Sequence, residues 1–134
     1  MYKKISIGSK TTNLSLVEKV IDEVTNEIGI SKDYYGKILV STMEGVNNAI
    51  THGNKLVPEK IVDIEIRFRN NELKIKISDQ GSGFKPGDVP DPTTPENIEE
   101  INGRGVFLMS RLADQIKYNK KGNTVIMTFK NIID

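Results

Sequence analysis

Ser41, Glu44, Asn48 and His52 recur at spacings of three and four residues. At 100° per residue these side chains share roughly 80° of a helical face. They lie opposite an apolar stripe of Ile38, Leu39, Val46, Ala49 and Ile50. A polar stripe on an amphipathic helix is usually its solvated face. The mid-helix pair Asn47-Asn48 points to something more, because Lys, Glu and Gln hold a solvent face better than Asn does. Glu44 and Asn48, one turn apart, set a carboxylate beside an amide oxygen. Hard oxygen ligands of that kind suit Mg2+, which takes few protein groups and keeps waters and phosphates in its other positions.

Two glycine clusters follow. In Asp79-Gln80-Gly81-Ser82-Gly83-Phe84 the glycines let a backbone turn sharply and approach a ligand closely. An aspartate at a strand end can accept a hydrogen bond from a buried amine. The alternative is a loop that only needs positive backbone angles. Gly103-Arg104-Gly105 opens a run Val106-Phe107-Leu108-Met109 that reads as a helix start. There, backbone N–H groups, the dipole's positive end and a guanidinium can all meet phosphate oxygens. An exposed arginine at a helix start is the plainer reading.

The elements that must hold these groups are legible from periodicity. Lys3 to Gly8 alternates as a short strand. Leu16, Val17, Val20, Ile21, Val24 and Ile28 repeat at helical spacing, with Ser15 and Glu18 as a capping box and Gly29 as the C-cap. A second helix is expected from Ser31 to Gly53. Val62, Ile64, Ile66 and Phe68 alternate, Asn70-Asn71 turns the chain, and Leu73, Ile75 and Ile77 continue on a hairpin partner. A short helix is expected over 106–113. A second hairpin, Gln115 to Asn119 and Thr124 to Lys130, turns at Lys120-Lys121-Gly122-Asn123. The order predicts an α+β two-layer sandwich, with helices packed on one face of a mixed or antiparallel β-sheet.

Composition bounds the function. The chain has 134 residues, which suits one domain, and a formal charge of +1, which excludes nucleic acid or an anionic membrane as the dominant partner. Without cysteine there are no disulfides, thiolate zinc sites or cysteine nucleophiles. No segment reaches membrane-spanning length, and Met1 to Ile5 lacks a signal-peptide apolar run, so the expectation is a cytoplasmic protein. Four of the five prolines and five of the eleven glycines crowd into residues 81–105. Within residues 85–100 Asp88, Asp91, Glu96, Glu99 and Glu100 stand against Lys85 alone, so that segment sums to −4 and the rest to +5. A long irregular segment inside a small domain is most often a functional lid or a disordered tether.

Taken in order, Glu44 to Asn48 with His52-Gly53, then Asp79-x-Gly81-x-Gly83, then a lid, then Gly103-x-Gly105 resembles one family closely. These look like the N, G1 and G2 boxes of the GHKL (Bergerat-fold) ATPases, and the likeness runs from Ser15 onward. The Glu-Gly-Val-Asn-Asn-Ala-Ile-Thr-His-Gly-Asn string is similar to the bacterial anti-sigma factor serine/threonine kinases. The resemblance implies a single ATPase/kinase domain over 1–134, with an ATP lid at about 85–105. It implies ATP and Mg2+ as the cofactors, Glu44 as general base and Asn48 as the Mg2+ ligand. It also implies that Asp79 accepts from the adenine amine, that Gly81 and Gly83 leave room for the nucleotide, and that Gly103, Arg104 and Gly105 meet the phosphates. His52 matches a frequent family residue that could equally be a cap or packing residue. The family sets a threonine beside adenine directly after a glycine. Here Gly122 is followed by Asn123 and then Thr124, and alternation points those two to opposite faces.

The implied activity is sequestration of a sigma factor and phosphorylation of a STAS-domain anti-anti-sigma partner, in a branch whose members are often homodimers. The competing readings are a non-catalytic ATP-binding sequestration module, and a freestanding ATPase or phosphotransfer module of a regulatory complex. Walker-type GxxxxGK[ST], a complete GxGxxG and the HRD and DFG signatures are all absent from the sequence.

Overall fold

The computed structural model describes residues 1–82 and 111–133. In chain order it comprises β1 (Tyr2–Gly8), a 3-10 turn (Thr11–Asn13), α1 (Leu14–Ile28), α2 (Lys32–Asn48) and a π turn (Ala49–Gly53). These are followed by β2 (Ile61–Arg69), β3 (Glu72–Ser78), β4 (Gln115–Tyr118) and β5 (Thr124–Lys130). The strands form one sheet in the order β1-β2-β3-β5-β4, with every pairing antiparallel. The fold is therefore α+β, as the pattern predicts, with the sheet wholly antiparallel among the described residues.

Alternation decides which sheet face is covered. Val62, Ile64 and Ile66 of β2, Leu73, Ile75 and Ile77 of β3, and Val125, Met127 and Phe129 of β5 are buried. They join Val17, Ile21 and Val24 of α1 and Ile38 and Val46 of α2 in one core. The other face carries Glu65, Arg67, Lys74 and Lys76, which register opposite one another across β2 and β3. Asn70 and Asn71 both adopt left-handed backbone, with φ of 54° and 57°. That pair of angles is what a two-residue type I′ hairpin needs.

Several expectations are corrected. Ser15 is not an N-cap: it lies inside α1, and its Oγ donates to Thr12 O at 3.1 Å, while Asn13 holds the cap position without a side-chain bond. Leu16 is exposed rather than part of the buried stripe. Gly29 does end α1, in left-handed conformation (φ 81°), and its N–H donates to Thr25 O. Ser41 is buried and donates to Lys37 O at 2.7 Å, so it belongs to no solvated face. The second helix keeps α geometry only to Asn48 and then widens into the π turn. Of the short helix expected over 106–113, only Arg111 to Ala113 are described, and Arg111 and Leu112 are helical.

Candidate functional site

Helix α2 carries Glu44 and Asn48 one turn apart, both half-buried. They precede Gly53 by nine and five residues. The π turn closes with the Asn54 N–H donating to Ala49 O at 2.8 Å, an i to i+5 bond. Four-residue alignment therefore stops before His52, which is exposed while Glu44 and Asn48 are not. The chain leaves the turn through Lys55 and Leu56, both in the left-handed region (φ 53° and 61°). Non-glycine residues rarely accept that conformation away from functional or tightly constrained segments.

The loop after β3 docks directly on this turn. A Cβ at Gly53 would lie 2.4 Å from Asp79 Cγ and Oδ2, and a Cβ at Gly81 would lie 2.1 Å from Gly53 O. Only two glycines permit so close an approach, and it places the Asp79 carboxylate against the end of the helix that bears Glu44 and Asn48. The Gly81 N–H donates to Asp79 Oδ1 at 2.8 Å. On the other side the Asp79 N–H donates to Asn123 O at 2.9 Å. Asn54, fully buried, joins the pieces: its Oδ1 accepts from Gln80 N at 2.7 Å, and its Nδ2 donates to Ser9 Oγ at 2.8 Å and to Ile61 O at 3.0 Å. Gln80 Oε1 in turn accepts from Ile61 N at 2.6 Å.

Burial pushes the Asp79 pKa above the usual carboxylate value, opposed by the Gly81 N–H and by the charges of Lys121 and Lys60. A carboxylate shielded from water makes a stronger acceptor toward any donor brought to it. Asn48 offers a second unused group. Its side-chain nitrogen is buried with no partner among the described residues, a condition that costs about 1–3 kcal/mol unless another function requires the amide. Among the described residues no three His, Asp or Glu side chains converge. A cation held here would therefore take few protein ligands, which fits Mg2+ bound largely through phosphates and water.

The structure thus brings Asp79 and Gly81 together with Gly53, at the end of the helix bearing Glu44 and Asn48. Thr124 is not brought to that side. It pairs with Ser78, to whose Oγ its Oγ1 donates at 3.1 Å, on the sheet face opposite the buried Val125 and Ile77. Asn123 has the register parity of Val125 and supplies the carbonyl that binds Asp79 N–H, while its side chain accepts from Asn119. Gly83, Gly103, Arg104, Gly105 and the lid expected at about 85–105 lie outside the described residues. Asn54, Gln80 and Ser9 are participants to which the sequence reading gives no role. The one available signal was an asparagine directly after a helix-ending glycine.

Comparison with known proteins gives a consistent result. The profile of the histidine kinase-like ATPase domain matches residues 7–129. The serine-protein kinase RsbW of Oceanobacillus iheyensis is 24% identical, covering 99% of this chain and 88% of its own. RsbW of Listeria monocytogenes is also 24% identical, over 96% of this chain and 87% of its own. The anti-sigma F factor of O. iheyensis is 26% identical over 92% of this chain and 88% of its own. Among solved structures, the RsbU and RsbW domains of a Mycobacterium tuberculosis protein superpose with a TM-score of 0.70 over 97% of this chain, at 15% identity. That is a likeness of fold, and this chain spans 32% of that longer one.

Proposed function

The chain belongs to the histidine kinase-like ATPase family, and from that premise we propose that it is an ATP-binding anti-sigma factor with serine/threonine protein kinase activity. The observation that carries this reading is the seating of Asp79 and Gly81 on Gly53, at the end of a helix that retains both Glu44 and Asn48. The relatives named serine-protein kinase and anti-sigma F factor, matched along nearly their whole length, support it.

In this proposal Asp79, partly shielded from water, accepts from the exocyclic amine of adenine. Ribose and phosphates then run back along α2 toward Asn48 and Glu44. Asn48 would hold Mg2+, which when bound offsets the charge of the triphosphate. Glu44 takes the proton of a serine hydroxyl as its oxygen bonds to the γ-phosphorus and the bond from that phosphorus to the bridging oxygen breaks, releasing ADP. Gly81 and Gly83 would leave room for the nucleotide, and Gly103, Arg104 and Gly105 would meet the phosphates, as the family resemblance implies. The phosphorylated partner is a STAS-domain anti-anti-sigma protein, and the sequestered one a sigma factor.

The test is to incubate the protein with Mg-ATP and a STAS-domain protein encoded in the same genome, and to map phosphoserine by mass spectrometry. Transfer by the wild type, lost in Glu44→Ala with ATP binding retained, is the expected result. If none of the STAS proteins of that genome is phosphorylated, the kinase claim falls.

A further inference from the structure

We propose that Asn54, the residue directly after Gly53, is a positioning residue that sets adenine selectivity by fixing the backbone on which Asp79 turns. The inference deepens the nucleotide reading above and rests on it. Asn54 has no exposed surface, so it acts through other groups. Its amide is used at both ends: Oδ1 accepts from Gln80 N, and Nδ2 donates to Ile61 O and to Ser9 Oγ. Ser9 Oγ passes the contact on to Lys60 O at 2.8 Å. The Asn54 N–H closes the π turn on Ala49 O. One residue therefore ties together the end of the Glu44 helix, the residue after β1, the start of β2 and the loop after β3.

The consequence falls on Asp79. Its N–H is anchored to Asn123 O, and the next peptide is anchored through Gln80 N to Asn54 Oδ1. With the backbone held on both sides, the Gly81 N–H meets Asp79 Oδ1 and selects the carboxylate's orientation. Only an asparagine-like amide can supply one acceptor and two donors from this position. Aspartate would turn a second acceptor on Ile61 O, and alanine would remove the partner of the Gln80 N–H and of Ile61 O in a part-buried place. The Gln80 side chain provides a weaker second clamp, because it is exposed and holds only Ile61 N.

The test compares ATP with inosine triphosphate, in which a carbonyl replaces the exocyclic amine. Calorimetry would give both dissociation constants for the wild type, Asn54→Ala and Gln80→Ala, with thermal unfolding recorded for each. A role confined to stability shifts both constants together and leaves their ratio unchanged. Positioning predicts that preference for ATP falls about tenfold in Asn54→Ala and about threefold in Gln80→Ala, the scale of one lost hydrogen bond. The exposed Gln80 substitution should fold, so it decides alone if Asn54→Ala does not. A wild-type ratio in every folded variant overturns the inference. A wild type that binds neither nucleotide removes the nucleotide reading itself, which is a different failure.

Discussion

Alanine at Gly53 separates the folding of this protein from its function. The added Cβ would lie 2.4 Å from Asp79 Cγ and Oδ2 and 2.8 Å from Oδ1. Comfortable contacts between heavy atoms begin near 3.5 Å, so the carboxyl must retreat by about 1 Å. It can do so, because the three atoms nearest the new Cβ all belong to the end of a side chain. Gly53 is not in the left-handed region, and alanine in helical backbone is favoured over glycine by up to about 1 kcal/mol. The variant should therefore still fold, because that gain offsets part of the cost of displacing the carboxyl. What it loses is the Gly81 N–H to Oδ1 bond and the direction in which Asp79 faces. With Asp79 misdirected, the bond it would accept from the adenine amine is lost, and a hydrogen bond to a charged acceptor contributes about 1.5–3 kcal/mol, which is about tenfold to a hundredfold in ATP dissociation constant. Gly81→Ala should behave differently: its Cβ meets Gly53 O at 2.1 Å and Gly53 C at 2.7 Å, which are backbone atoms. That variant should lose stability as well, by about 1–3 kcal/mol. Gly36→Ala is the control, since its Cβ meets nothing within 4 Å. Thermal unfolding and calorimetry on the three variants read both quantities. A folded Gly53→Ala that binds ATP with wild-type affinity would refute the claim that this packing orients Asp79.

Asp79→Asn should stabilise the nucleotide-free protein at neutral pH while weakening ATP binding. Burial raises the Asp79 pKa, so the folded state binds a proton more readily than the unfolded one. The ionised form then lowers stability above that raised value, and the effect fades as pH falls through the usual carboxylate range. The melting-temperature advantage of the variant should fade the same way, and a pH-independent difference contradicts the assignment. Asn48→Ala removes a buried nitrogen that has no partner among the described residues, so unliganded stability should rise by about 1 kcal/mol while ATP binding in Mg2+ weakens. A fall in melting temperature would show that the amide serves the fold instead. Asn70→Ala should lower stability by about 1 kcal/mol, because φ is 54° there, whereas Asn70→Gly should be close to neutral. Equal losses would contradict a turn governed by backbone angle.

The strands were legible because alternation is a local signal that burial enforces. Val125, Met127 and Phe129 are all on the covered face, and the bounds of β5 coincide with those expected. Asn70-Asn71 announced its own turn, since few residue pairs accept two left-handed conformations. Helix details were less legible. Ser15 looks like a cap, but the 3-10 turn at Thr11–Asn13 starts the helical chain earlier. The π turn leaves no trace in residue spacing, because Asn54 and Ala49 meet through a wider ring that tertiary bonds hold in place. For the same reason the arc that aligned His52 with Glu44 was drawn too far. Asp79 and Gly81 were named through the family resemblance of the Asp-x-Gly-x-Gly cluster. The role of Gly53 could not be found that way, because it depends on a loop from 26 residues later in the chain. Thr124 was ambiguous by one residue in sequence, and strand register resolved it onto the face away from Asp79.

The central claim is that the Gly53, Asp79 and Gly81 contact forms the base end of a nucleotide site leading to Asn48 and Glu44. Calorimetric titration of the unmodified protein with ATP, with and without Mg2+, tests it most directly. The account predicts saturable binding of one ATP per chain, tightened by Mg2+ and strongly weakened by Asp79→Asn. No binding at millimolar Mg-ATP, or binding indifferent to Asp79→Asn, would contradict it.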